Sequence, residues 1–405
     1  MSFVAAAQEI QPELVELRRR LHAHPELGND LPWTQQQVLQ ALEGLGLEIT
    51  VGTSVTSVVA VLRGGQPGPT VLLRGGQRGP TVLLRGDMDG LPVAEQTGLE
   101  YASENGNMHA CGHDLHTAGL VGAAKLLSAR RDELQGNVIF MFQPGEEGPG
   151  GAKPMLDEGL LEAAGEKPVA AYAIYVAPGV PGVFNYWTTT AMAGANKLSV
   201  TFHGKGGHGS QPHTAQDPVP ALLEFGTALQ VMVTRRFNVF DPVVLSISQL
   251  SAGNAVNVIP DSARLGASVR TLSRETTEAF PVAVKQLADG IAAAHGVRAH
   301  VDWEVLYPVT INDQDEAAFT AETLSATFGE SRVVEYANPL MGSEDFSFVL
   351  ENVPGCFVFL QCSPPDVDPE TADWNHSPNV LFDDAVLGDQ AAALAQLAFD
   401  RLASH

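Results

Sequence analysis

The sequence predicts an α/β protein that carries an inserted α+β domain. Three observations point there. Runs such as NVIFMF (Asn137 to Phe142), VAAYAIYVAP and GCFVFLQC are apolar without alternation, as strands covered on both faces require. Segments with helical periodicity separate them, which is the alternation of an α/β fold. Between about Thr188 and Glu304 the texture changes to alternating, half-exposed strands.

The elements follow in chain order. Residues 8 to 22 alternate apolar and charged at helical spacing and open the chain with an amphipathic helix. Trp33 to Leu45 forms a second helix, ending at Gly46. Short β-type runs punctuated by Gly-Pro come next: SVVAVLRGG, TVLLRGG and TVLLRGD. They contain a duplication. Arg63 to Leu73 (RGGQPGPTVLL) and Arg74 to Leu84 (RGGQRGPTVLL) differ only at Pro67 against Arg78. No third copy follows, so this is a local duplication and not a solenoid. Only Thr81 to Leu84 leads directly into Asp87, which makes Thr70 to Leu73 the surplus strand. It either extends a sheet edge or loops out at the surface, and its Arg-Gly-Gly-Gln spacer favours the loop.

Asp114 to Leu134 reads as a long helix that Asp114 can cap. Leu115, Ala118, Val121 and Leu127 share one face, where Gly119 and Gly122 allow close packing. Within the insert, KLSVTFHGKG is followed by a helix over Pro218 to Thr234, then VVLSISQL, ARLGASVRTL and a helix near Thr276 to His295. The α/β texture resumes near Tyr307. The first domain is therefore expected over residues 1–187 and 305–405, and the inserted one over 188–304.

Length and charge bound the function. At 405 residues with 44% apolar side chains, the chain can bury the cores of two or three domains. Its 23 basic and 47 acidic side chains give a net charge of −24, which argues against nucleic acid and against an anionic membrane surface. Three widely spaced cysteines make no disulfide framework. The opening MSFVAAAQEI does not read as a secretory signal, and no run of about 18 apolar residues occurs. A cytoplasmic location is the expectation.

Metal-capable side chains are densest in MHACGHDLHT, which holds His109, Cys111, His113, Asp114 and His116. Cys111 and His113 stand two apart and can face one side of a turning backbone. Thiolate and imidazole suit zinc or its neighbours. Glu146 and Glu147 in QPGEEGPGG follow NVIFMF, at the strand end where open α/β sheets build their sites. Adjacent carboxylates can divide the labour, one binding a cation and the other moving a proton. Asp87 and Asp89 close the strand in RGDMDGLP, and His376 sits in WNHSP. Each segment alone has a bland counterpart: polar loop residues before a helix, a solvated acidic loop, turn-forming aspartates, a structural histidine. The case is joint, because these groups fall at loops after parallel strands, and such loops meet on one edge of a sheet.

Taken in order, RRRLHAHPELG, LRGDMDGLP, MHACGHDLHTA, FQPGEEGPGGAKPM, GKGGHGSQPH, AVNVIPD, SVRTL, GSEDF and NHSP resemble the metal-dependent amidohydrolases of the M20 peptidase family, in the aminoacylase, hippurate hydrolase and auxin-conjugate hydrolase branch. The resemblance runs from about residue 15 to the C-terminus. It implies a metallo-exopeptidase-like α/β catalytic domain, with a mixed central sheet flanked by helices. It also implies an inserted α+β lid through which the chain forms a homodimer or higher homo-oligomer.

By the same resemblance Cys111, His113, Glu147 and His376 are metal ligands, Cys111 as a thiolate bridge. Glu146 is the general base, Asp89 belongs with the catalytic group, and Asp87 supports the ligands from beneath. His208 of GGHGSQPH would reach a neighbouring subunit's site and stabilise the oxyanion. Asn257 and Arg270 would hold the substrate's carboxylate. The implied reaction is hydrolysis of the amide of a small-molecule N-acyl amino acid by a metal-activated water. It would use one or two divalent ions per chain, zinc first, with manganese, cobalt or nickel also suited. A metallo-carboxypeptidase or dipeptidase would use the same residues.

Two features depart from the family pattern. Where the family's strand before the lid carries a histidine in an IHV-like segment, this chain has AIYVAP and Tyr175. Either one of two metal positions is weakened or empty, or Tyr175 binds as a phenolate, or water completes the shell. The duplication at 63–84 is the second departure. Together they leave open a relative that binds without turnover.

Overall fold

The computed structural model describes residues 1–66 and 79–404. The chain divides into two compact units, Met1–Ala191 with Ile311–Asn338 and Phe348–His405, and Met192–Thr310 with Pro339–Ser347. The last long strand of the second unit runs Arg298–Tyr307 and crosses the expected limit at residue 304.

In the first unit, β1 (Glu48–Val51), β2 (Val58–Arg63), β3 (Thr81–Asp87), β4 (Asn137–Gln143), β5 (Ala170–Ala177) and β6 (Phe184–Tyr186) join Val333–Glu335 and Gly355–Gln361 in an eight-stranded mixed sheet. The order is β1-β2-β4-β3-β5, then Gly355–Gln361, β6 and Val333–Glu335. The four central strands β4, β3, β5 and Gly355–Gln361 run parallel. Antiparallel pairs join β1 to β2, β2 to β4, and β6 to Gly355–Gln361. Every residue of β3 and β4 is buried, which is why these strands read as unbroken apolar runs. Register aligns the carboxyl ends: Asp87 stands opposite Gln143, and Ala177 opposite Gln361. The loops that leave these strands open on one edge.

Helices cover the sheet. α1 (Phe3–His22), α3 (His113–Ala129) and the C-terminal helix Leu387–Ser404 pack on one another, and the latter two lie against β3. Gly119 and Gly122 permit that approach, since an added Cβ would come within 2.6 Å of Gln390 and of Ala391 respectively. Between α1 and α3, α2 (Pro32–Ala41) ends before the expected Leu45, because Gly44 and Gly46 turn the chain at positive φ. The expectation that Asp114 caps α3 is corrected. Gly112 precedes the helix at φ 78°, and Asp114 lies in the first turn.

The duplicated segment reaches the fold through Thr81–Leu84, which continues as β3 into Asp87. The surplus strand expected at Thr70 to Leu73 lies outside the described residues. Among the described residues no helix is long and apolar enough to cross a membrane.

The second unit is a four-stranded antiparallel sheet in the order Val244–Ala252, Ser262–Thr271, Gly194–His203, Arg298–Tyr307. Helices Pro218–Arg236 and Arg274–His295 bury Phe225 and Phe280 against Leu198, Val200, Phe202 and Leu265 of that sheet. The chain order is that of a split β-α-β unit. A short ladder pairs Gly207–His208 with Val258–Ile259.

Candidate metal centre

The end of β3 forms the floor of the site. Asp87 is fully buried, and its Oδ2 lies 2.6 Å from Arg85 Nη1. His116 Nε2 accepts the Val176 N–H at 2.7 Å, so its proton is on Nδ1, which meets Asp87 Oδ1 at 2.6 Å. Burial works to raise the Asp87 pKa. Arg85, His113 and His116 outweigh it and hold the carboxyl below the usual range. Two residues on, Asp89 accepts the backbone N–H groups of Glu146 and Glu147, both at 3.0 Å.

Cys111 and His113 flank Gly112, where any side chain would be strained by φ and would strike Val176 Cγ2 at 2.3 Å. That tight turn puts both residues at the head of α3. Cys111 Sγ is 2.6 Å from the Tyr175 hydroxyl on β5 and 3.2 Å from His376 Nε2. His376 Nε2 is also 3.1 Å from Glu147 Oε1. His376 has φ 74°, the sole positive value for a non-glycine among the described residues, and its N–H donates to Ala110 O at 2.8 Å. In this conformation the ring meets Cys111 and Glu147.

The donor set fits a divalent ion. Ligand atoms of Cys111, Glu147 and His376 lie within 4.8 Å of one another, and so do those of His113, Glu146 and Glu147. Both ring nitrogens of His113 are buried without a hydrogen-bond partner. Its Nε2 stands 3.5 Å from Asp87 Oδ2 and 3.9 Å from Glu146 Oε2 and Glu147 Oε1. The electrostatics agree. The Cys111 sulfur and the Glu147 carboxylate push His376 up to about 10. Burial lowers the His113 pKa, yet Asp87 and Asp89 raise it well above its ordinary value. Burial, then Glu147, pushes the Cys111 thiol up. Buried anionic groups here draw positive charge, which is the field a divalent cation would satisfy.

The structure sorts the metal-capable residues of MHACGHDLHT. Cys111 and His113 join Glu146, Glu147 and His376, while His116 sits beneath them on Asp87. Asp114 instead pairs with Arg18 at 2.6 Å and His22 at 2.8 Å. His109 is buried with its ring 6.3 Å from that of His22. Sequence reading does not reach Asn375, whose Nδ2 donates to the Tyr175 hydroxyl and to Val176 O, both at 3.1 Å. Its only signal was adjacency to His376 in WNHSP.

In the second unit, His208 on the short ladder and Asn257 just before its second strand are exposed, and Gly209 N–H donates to Asn257 O at 2.8 Å. His208 Nδ1 accepts the Ser210 N–H at 3.1 Å, which leaves Nε2 protonated. Arg270 is half-buried on Ser262–Thr271, its Nη1 has no partner, and burial lowers its pKa.

The profile of Peptidase family M20/M25/M40 matches residues 83–400. The chain is 34% identical to an N-acetylcysteine deacetylase of Bacillus subtilis (strain 168), over 97% of this chain and 98% of that protein. It is also 34% identical to thermostable carboxypeptidase 1 of Saccharolobus solfataricus, over 96% of each. The crystal structure of a dinuclear metal-binding M20 peptidase from Bacillus subtilis superposes with a TM-score of 0.81 at 31% identity, covering 98% of this chain and 99% of that one. The clustered metal-capable side chains thus fit their context: the chain belongs to peptidase family M20/M25/M40 and is a metal-dependent hydrolase acting on amides.

Proposed function

We propose that this enzyme hydrolyses the amide bond of N-acyl amino acids, releasing the acyl carboxylate and the free amino acid, with Glu146 as general base. The observation that carries the reading is the place of Glu146. It is buried beside His113, its backbone is pinned by Asp89, and it lies at the edge of the cluster, in the group with His113 and Glu147 and outside that of Cys111, Glu147 and His376. A carboxylate in that position can take and return a proton. Similarity along the whole chain to an N-acetylcysteine deacetylase supports the substrate class.

In this reading Cys111, His113, Glu147 and His376 hold one or two divalent ions. Thiolate and imidazole favour zinc, and manganese, cobalt or nickel also suit the set. Such an ion, when bound, supplies Lewis acidity to the scissile carbonyl and acidifies the attacking water. Glu146 takes the water's proton and carries it to the leaving nitrogen. Asp89 keeps Glu146 and Glu147 in place through their backbone amides, and Asp87 steadies His113 from beneath. We assign to His208 the donation of its Nε2 proton to the oxyanion in a neighbouring subunit's site. Arg270, whose fork suits two carboxylate oxygens, and Asn257 would take the substrate's carboxylate. The second unit would then be a lid and the interface of a homodimer in the cytoplasm.

A carboxypeptidase reading is favoured by the similarity to relatives of that name. Rates on N-acetyl amino acids, dipeptides and N-blocked dipeptides, measured with zinc-loaded protein, separate the two. We expect the N-acetyl amino acids to be fastest, and faster dipeptide cleavage overturns the assignment. Glu146→Gln should retain metal and lose nearly all turnover. Retained turnover removes Glu146 from the role.

A further inference from the structure

Tyr175 lies at the carboxyl end of β5 with its hydroxyl 2.6 Å from Cys111 Sγ. Asn375 and the charge state of the sulfur together set which way that contact runs. The Val176 carbonyl can only accept, so the Asn375 side-chain atom 3.1 Å from it must be the amide nitrogen. The same nitrogen is 3.1 Å from the Tyr175 oxygen and donates to it. The phenol accepts from Asn375, and a metal-binding Cys111 is a thiolate with no proton to give, so the phenol's own proton goes to the sulfur. Asn375 Nδ2 also stands 3.5 Å from Cys111 O.

A phenol in this state is a donor to a sulfur ligand and not itself a ligand. The consequence for the ion positions is unequal. One position has three donors, from Cys111, Glu147 and His376. The other is built on His113, with Glu147 shared and Glu146 committed to proton transfer. Tyr175 adds no donor to it, because its oxygen is engaged with the Cys111 sulfur and the Asn375 amide.

We propose that Tyr175, held by Asn375, is a hydrogen-bond donor to the Cys111 sulfur, and that the centre consequently holds one ion tightly and a second only weakly. The inference rests on the ligand assignment above and is independent of the substrate. It makes Tyr175 a positioning residue, acting through Cys111.

The test counts metal and needs no turnover. Metal-free protein is equilibrated with Zn2+ alone, desalted, and its zinc counted per chain. About one equivalent should stay with the wild type and with Tyr175→Phe, and about two with Tyr175→His, since an imidazole offers a neutral lone pair. Two equivalents in the wild type, or no gain in Tyr175→His, overturns the proposal. No zinc in any variant overturns the ligand assignment and the inference with it. A second readout uses Co2+-loaded protein. Losing a hydrogen bond raises the energy of the sulfur lone pair, so the sulfur-to-cobalt absorption should move to longer wavelength in Tyr175→Phe. An unmoved band removes the donor role.

Discussion

The carboxylate of Asp89 accepts the backbone N–H of Glu147 through one oxygen, while its other oxygen takes that of Glu146, each at 3.0 Å. One buried side chain at the end of β3 thereby sets the loop that follows β4. Asp89→Asn keeps the shape but leaves one oxygen to serve two donors. We expect an intact fold, with metal affinity and kcat/KM reduced by about 10- to 100-fold, the range seen when supports of metal ligands are lost. Competition for zinc against a chelator measures the first quantity. Unchanged affinity together with unchanged rate would show that the loop holds itself.

Arg18 and Asp114, joined at 2.6 Å, are both buried and form part of a larger group with Asp384 at 3.0 Å from Arg18 and His22 at 2.8 Å from Asp114. Removing one partner of such a group strands the others in the interior. Arg18→Met should lower stability by roughly 3–5 kcal/mol, because the cost is that of uncompensated buried carboxylates. Urea unfolding of the metal-free protein reads this without interference from ion binding. A loss near that of an exposed pair, below about 1 kcal/mol, would mean that water reaches the group.

His208 gives a test of subunit sharing. Its ring carries the proton on Nε2 because Ser210 N–H occupies Nδ1. His208→Ala should lower kcat by about 100- to 1000-fold, the usual cost of an oxyanion donor. Glu146→Gln and His208→Ala proteins, each nearly inactive, are then mixed and allowed to exchange subunits. Recovery of activity is expected, because one hybrid site combines an intact Glu146 with the other chain's intact His208. Failure to recover in a mixture shown to contain hybrids places His208 in its own chain's site, or outside the reaction.

The parts of this structure that were legible are those written in local chemistry. NVIFMF announced a doubly covered strand because every one of its residues is buried, and Glu146 with Glu147 followed it at the edge where strand ends meet. Cys111 and His113 were legible by spacing. What escaped depends on the chain folding back on itself. Asp114 looked like a cap because its neighbours suggested a helix start, while Arg18, 96 residues away, decides its role. Asn375 looked like loop filler beside a candidate ligand, yet it bridges Tyr175 and Val176, about 200 residues earlier in the chain. The fixed tautomer of His116 likewise depends on a backbone amide that no sequence spacing reveals.

The duplication offers the last test. The chain leaves β2 with Gly64 N–H donating to Gly136 O at 2.9 Å and Gln66 N–H donating to Leu134 O at 3.1 Å. It re-enters at Pro80, whose carbonyl accepts the Asn137 N–H at 2.8 Å. Both ends are thus fastened to the same short stretch ahead of β4. Deleting residues 63–73 would join Leu62 to Arg74, Gly75, Gly76 and Gln77, the same Arg-Gly-Gly-Gln that follows Leu62 now. The shortened chain can therefore reuse the same backbone contacts, and β3 from Thr81 to Asp87 is untouched. We expect Tm and kcat/KM close to those of the parent, since loop length alone costs little. If melting collapses, the extra copy contributes to the core. If the fold survives and activity alone is lost, the copy acts on Asp87 and Asp89 through β3.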